Sequence, residues 1–345
     1  MSSSGKKVVK PRPYVPPISP HLFRDPKARR NAWAVLQTKE QIANAALCKM
    51  RTEMNALLPI SLLPIEVLCQ IFALVAATDP VVTDNRYRGY PILTRQTRGW
   101  IRVSHVCRSW REAALGCPTL WTNVPLYSGD FWRDTFLARS RAAAIDVTAP
   151  RMGTKWHTTS IILSEHLHRV RNLTAYIPSQ DVLDFLSSPA PLLEHLDIEC
   201  FSGGPVPLIF PNLFSGDAPR LTSVFVSESS SFPAHPTLYA NVSKFAISSS
   251  ILDPDAFHIP STFDFFSTLQ SMSEIAYLQL DGCLPAVPGP PWPEHTLHFP
   301  HLSHLELQGP ISHVSGVLDQ IRLSRLCVLR VHCEMSGGQM ANEHD

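Results

Sequence analysis

The sequence predicts an α+β chain, a helical N-terminal region followed by an irregular solenoid whose strands form a parallel sheet. Three observations carry this. Apolar residues recur at helical steps before Trp121, a six-residue pattern apolar-x-x-apolar-x-apolar returns eight times after it, and 345 residues with 44% hydrophobic content suffice for two domains with buried cores.

Residues 1–26 are rich in Pro, Ser and Lys and read as a disordered arm. Over 27–58, Leu36, Ala43, Leu47, Met50, Met54 and Leu57 recur mostly at steps of three or four, with Lys39, Lys49, Arg51 and Glu53 between them. This is an amphipathic helix, with two fates open to its apolar stripe: packing back on the next domain or pairing with another helix. Pro59 stops it. From Ile65 to Ala77 only Glu66 and Gln70 are polar, and Pro64 suits a first helical position, where no N–H is needed. A helix apolar on so many sides wants two burials, one in its own domain and one against a partner. Thr78 to Gly99 is a polar, Arg-rich insertion. Val103, Val106, Cys107, Trp110 and Ala114 then fall on one helical face, Gly116 ends that helix, and Pro118 prevents its return.

The two stretches Leu62–Phe72 and Val103–Glu112 together resemble an F-box, here placed at 59–121 with the insertion at 78–99. The segment Pro118-Thr119-Leu120-Trp121-Thr122-Asn123, followed by Phe136-Leu137-Ala138-Arg139-Ser140, resembles the continuation found in F-box-like proteins of mushroom-forming (basidiomycete) fungi with degenerate leucine-rich repeats. The resemblance implies docking on the Skp-type adaptor of SCF ubiquitin ligases and, through it, on a cullin-RING ligase. The positions that match the family's interface are Leu63, Pro64, Ile71, Val106, Cys107 and Trp110. The insertion is a departure, since compact F-boxes lack it.

The eight strand patterns centre on Ile145, Leu173, Leu196, Val224, Phe245, Leu278, Leu305 and Leu329, on average about 26 residues apart, a period that belongs to leucine-rich repeats. A leucine-rich-repeat-like substrate-binding domain is therefore expected over 122–335, with single outer helices at segments such as 181–187 and 315–321 and a polar tail at 336–345. Only Cys283 occupies the Asn/Cys position that usually follows such a strand, so a mixed α+β domain is the competing description. Residues between the inward strand positions should face a target: His195, Asp197, Glu199, Tyr277, Gln279, Asp281, His304, Glu306 and Gln308.

Charge is split along the chain: residues 1–111 hold 18 Lys/Arg against 6 Asp/Glu, the remainder 12 against 23. A basic half suits nucleic acid or the acidic surface that the resemblance implies for an adaptor. The bases are dispersed and lack an accompanying aromatic signature, so nucleic acid is not expected as a partner. Eight cysteines without a C-x-x-C pair indicate neither zinc nor a disulfide framework. No signal-peptide core or apolar run of 18 residues occurs, which excludes a membrane span and points to cytoplasm or nucleus. No nucleophile elbow, P-loop, dinucleotide glycine run or H-E-x-x-H helix is present among the usual catalytic signatures, and the histidine pairs His166/His168 and His301/His304 have no ligand-spaced companion. No catalytic residue, metal or cofactor is expected. The reading is a substrate-recognition subunit of an SCF-type E3 ubiquitin ligase. Its rivals are an adaptor-bound scaffold that never ubiquitinates and an enzyme with a degenerate site on the solenoid.

Overall fold

The computed structural model describes residues 25–81, 99–126, 129–149, 156–177, 185–200, 212–229, 231–249, 261–286, 297–323 and 327–334. Most of the N-terminal arm, most of the insertion and the polar tail lie outside these residues, as do 181–184 of the expected outer helix. The chain divides into two compact units, Met1–Ile65 and Glu66–Asp345.

In the first unit, helix α1 (Pro26–Ala56) starts where Asp25 caps it, its carboxylate accepting the Lys27 N–H at 2.8 Å, with Pro26 in the first turn. None of its 31 residues is buried. A 3-10 turn, Pro59–Leu62, follows, and the Ser61 hydroxyl donates to the Asn55 carbonyl at 2.6 Å, satisfying an end group of the helix.

Helix α2 (Ile65–Thr78) begins one residue after Pro64 and buries Leu68 and Phe72, one turn apart. The chain returns from the insertion at Gly99, beside the point where it left. The Trp100 N–H donates to the Asp79 carbonyl at 2.8 Å, and Arg102 pairs with the Asp79 carboxylate. Gly99 has φ +48°, and a Cβ there would lie 2.3 Å from the Pro80 oxygen, so both the turn and the close approach require glycine.

The single helix read over Val103–Ala114 is in fact two elements. Gly99–His105 is a 3-10 helix, Cys107 is extended with φ −154°, and α3 runs from Arg108 to Gly116. Apolar spacing of three or four continues across the break, which is why one face was expected. Gly116 does end α3, and Pro118–Trp121 forms a further 3-10 turn.

Trp121 is fully buried, and its indole N–H donates to the Ala114 carbonyl at 2.9 Å. Its ring packs edge-on against Trp100 (centroids 4.9 Å apart) and Phe136 of α4 (Asp130–Ser140) at 5.0 Å. Arg169 closes the other end of α4. It is 6% exposed, and its guanidinium donates to the carbonyls of Leu137, Arg141 and Ala143 and to the Ser140 hydroxyl at 2.6–3.3 Å. A cation here satisfies the orphan carbonyls of a helix C-terminus.

The body is mixed α/β with a nine-stranded parallel sheet. The strands are β1 (Asn123–Pro125), β2 (Ile145–Thr148), β3 (Val170–Ile177), β4 (His195–Cys200), β5 (Ser223–Ser227), β6 (Lys244–Ser248), β7 (Tyr277–Asp281), β9 (His304–Pro310) and β11 (Val328–Glu334), each beside the next in that order. β8 (Leu297–His298) and β10 (Ile321–Arg322) form a separate parallel pair. All eight expected centres lie in strands. Leu173, Leu196, Val224, Phe245, Leu278, Leu305 and Leu329 stand opposite one another in a single line across seven strands. Ile145 faces Val170, and a register shift after it brings Val147 into that line. Every member is buried except Leu329, on the edge strand. Helices α5 (Trp156–His166), α6 (Thr262–Ser271) and α7 (Ile311–Leu318) lie in the connections. Over the expected 181–187 helix only a short turn at 185–187 is described.

Candidate functional site

The apolar residues singled out by sequence are divided between the two units, and the polar ones lie on one face of the sheet. In the first unit Leu63 is half-buried and Pro64 exposed, while Leu62 beside them is 81% exposed. In the second unit Ile71 is half-buried on α2, one position from the buried Phe72. Trp110 of α3 packs its ring on Phe72 with centroids 5.1 Å apart and is itself only half-buried. It therefore joins the two helices as well as offering an outer edge. Val106 is 60% exposed at the break before α3, and Cys107 is the half-buried residue that precedes the helix.

Leu74, 70% exposed on α2 among Gln70, Ala73 and Ala77, belongs to the same apolar surface of that helix. The sequence pattern missed it because a helix apolar on nearly every side does not say which side stays outside. Cys69, on the inner side, donates its thiol to the Ala113 carbonyl at 3.9 Å. Burial, then the neighbouring Cys117 and Glu66, push that thiol up to about 11, so it stays protonated at neutral pH and is no nucleophile.

The polar residues alternate with buried ones along the strands. His195 and Asp197 on β4, with Glu199, alternate with the buried Leu196 and Ile198; Tyr277, Gln279 and Asp281 do so on β7, and His304, Glu306 and Gln308 on β9. The parallel register sets Tyr277 beside His304 (ring centroids 6.2 Å apart), Gln279 beside Glu306 and Asp281 beside Gln308, whereas His195, Asp197 and Glu199 stand on β4, separated from β7 by β5 and β6. Burial and the adjacent Glu199 raise the Asp197 carboxyl above its usual range.

Bases interrupt the acidic face at two places that the strand patterns did not bring forward. Lys244 stands between Ser223 and Tyr277, and Arg330 lies next to Glu306, with nitrogen to oxygen 3.9 Å. His332 approaches the same carboxylate at 3.9 Å, and these residues with Val331 line a shallow hollow at the edge strand. On β2, Asp146 receives two hydrogen bonds from Arg171 (3.1 and 2.8 Å) and one from Asn172 (2.7 Å).

Among the described residues no group of three His, Cys, Asp or Glu side chains is placed to hold a metal, and no helix is long and apolar enough to cross a membrane. No curated protein and no solved structure matches the chain. Residues 60–126 match the F-box-like family, so the stretch that carries Leu62, Leu63, α2, α3 and β1 is an F-box-like domain.

Proposed function

We propose that the protein is a non-catalytic substrate receptor of an SCF-type ubiquitin ligase. The F-box-like domain binds a Skp-type adaptor and, through it, a cullin-RING ligase, while the parallel-sheet body holds a target protein. The observation that carries this reading is the F-box-like stretch at 60–126, which also leaves large apolar groups in solvent: Leu62, Leu74 and Val106. Such groups are stable in water only at a cost that a partner's surface removes. Leu63, Pro64, Ile71, Val106, Cys107 and Trp110 are assigned to the adaptor on the strength of the family resemblance.

We take the body as an irregular leucine-rich-repeat-like solenoid. The strictly sequential strand order and the single line of buried residues from Leu173 to Leu305 favour this description, as does Cys283, buried with its thiol 4.0 Å from the Ile247 carbonyl where a repeat's turn needs a donor. The target meets the polar sheet face through His195, Asp197, Glu199, Tyr277, Asp281, His304 and Glu306. Glu306 already has Arg330 nearby, so Asp197 contributes more than Glu306 to selecting a basic target segment. The last strand of the F-box-like stretch, β1, is the first strand of the sheet, which leaves no linker between them. Proximity is then the mechanism: a bound target is held at a fixed offset from the ubiquitin carrier, raising its effective concentration.

The test is co-purification of a Skp-type adaptor with the wild type and with Leu63→Ala/Pro64→Ala. Loss of the adaptor from a variant that remains folded by circular dichroism is expected; wild-type binding by the folded variant overturns the assignment. Ubiquitination of a captured target in a reconstituted ligase separates a receptor from a scaffold.

A further inference from the structure

Helix α1 has 31 residues and buries none of them. Its apolar residues follow a seven-residue repeat. Trp33, Glu40, Leu47 and Met54 form one column, and Leu36, Ala43, Met50 and Leu57, the last being the residue that caps the helix, form the column three places on, the two columns of a coiled-coil seam. Six of these eight are large apolar side chains, and all six are exposed, from Leu47 at 39% to Leu57 at 85%. Most of a helix's stability in water comes from a packed apolar face, and among the described residues this one has none.

Charge and register together select the occupant of that seam. About Ala45 the two columns are mirror images: Trp33 and Leu57 lie equally far from it, as do Leu36 and Met54, Glu40 and Met50, and Ala43 and Leu47. An antiparallel second copy therefore sets each member of one column opposite its counterpart in the other, with every layer filled. The same arrangement brings Lys39, which flanks the seam, beside Glu53 of the second copy, and the reverse pair repeats the contact. Glu40 meets Met50, followed by Arg51. A parallel copy does the opposite. It sets the two Glu40 carboxylates face to face in the core and gives Lys39, Ala46 and Glu53 the partners Asn44, Arg51 and Leu58, none of them complementary. We propose that α1 is a self-association element, through which two copies of this chain pair as an antiparallel two-helix coiled coil.

This inference is independent of the adaptor reading, because every residue in it precedes the F-box-like stretch. The experiment uses the full chain and measures mass in solution by light scattering and sedimentation. The wild type is expected at twice 38.4 kDa. Leu47→Glu with Met50→Glu, which charges the two central columns, is expected to be monomeric with its sheet signal in circular dichroism intact. Orientation is read from charge reversal. Lys39→Glu alone and Glu53→Lys alone each set like charges together twice, and each should weaken self-association by about tenfold. Lys39→Glu/Glu53→Lys should restore it, and an equimolar mixture of the two single variants should form mixed dimers in preference to either homodimer. A monomeric wild type overturns the proposal. So does a dimer indifferent to both charge reversals, which would pair in parallel or through another surface.

Discussion

Replacing Leu74 with alanine separates the outward side of α2 from the side that holds the domain together. Leu74 is 70% exposed, whereas Leu68 and Phe72 on the same helix are 4% and 0% exposed. Truncation to alanine removes about three carbon groups. At ~0.8 kcal/mol for each buried group, scaled by the exposed fraction that an adaptor would cover, the loss is about 1.7 kcal/mol of binding, or a Kd raised roughly fifteen- to twentyfold. Folding should barely change, by less than about 0.5 kcal/mol, because the side chain makes little contact at home and alanine favours helix. Phe72→Ala is the opposite control: it should cost about 3–5 kcal/mol of stability through the cavity it leaves. Titration calorimetry against a purified Skp-type adaptor gives the affinity, and a urea melt gives the stability. If Leu74→Ala binds as tightly as wild type and is equally stable, this side of α2 is not the adaptor surface, and the exposure of its leucine needs another account.

Buried or crowded polar groups give three further expected outcomes. Arg169→Met leaves the Arg141 and Ala143 carbonyls without this donor, and Leu137 with the Ser140 hydroxyl in its place, and should destabilise the fold by about 2–4 kcal/mol in urea, with Arg169→Lys recovering only part because an ammonium has no planar fork. Tyr239→Phe should be neutral or stabilising by up to about 1 kcal/mol, because the fully buried hydroxyl has no hydrogen-bond partner among the described residues; a clear fall in melting temperature would show that it has one. Partial desolvation on the sheet face and the adjacent Glu199 raise Asp197, so its charged form is penalised in the native state: stability falls as pH climbs above the ordinary carboxylate range, and the penalty vanishes below it, where both states are protonated. Asp197→Asn should therefore raise the melting temperature slightly at pH 7 and leave it unchanged at pH 3.

The sheet was legible because its signal is simple. In strands that bury one face, a one-residue slip would turn every leucine outward, so alternation fixes both the strand and its register, and the line from Leu173 to Leu329 results. β1 was missed because three residues are too few to alternate, although its pairing with β2 starts the sheet. The break at Val106 and Cys107 was invisible for the opposite reason: α and 3-10 turns both bring apolar residues back at three or four, and only the extended backbone at Cys107 distinguishes them. Arg169 reads as a surface base, since nothing local announces that its guanidinium completes a helix about thirty residues upstream. Leu62 and Leu74 lay among so many apolar neighbours that composition gave no direction. On α2, the exposure of Leu74 depends on which side the buried Leu68 and Phe72 take.

The closure at Asp79, Pro80, Gly99 and Trp100 works like the neck of a bag. A backbone hydrogen bond and an ion pair draw the rim shut, and the chain re-enters where it departed, so the 3-10 helix and α3 downstream start from a point fixed against the end of α2. Doubling the length of such a closed segment costs only about 0.6 kcal/mol in chain entropy. The rim is consequently what secures the join: an alanine at Gly99 would meet the Pro80 and Asp79 oxygens and force it open, whatever the length of the sequence between.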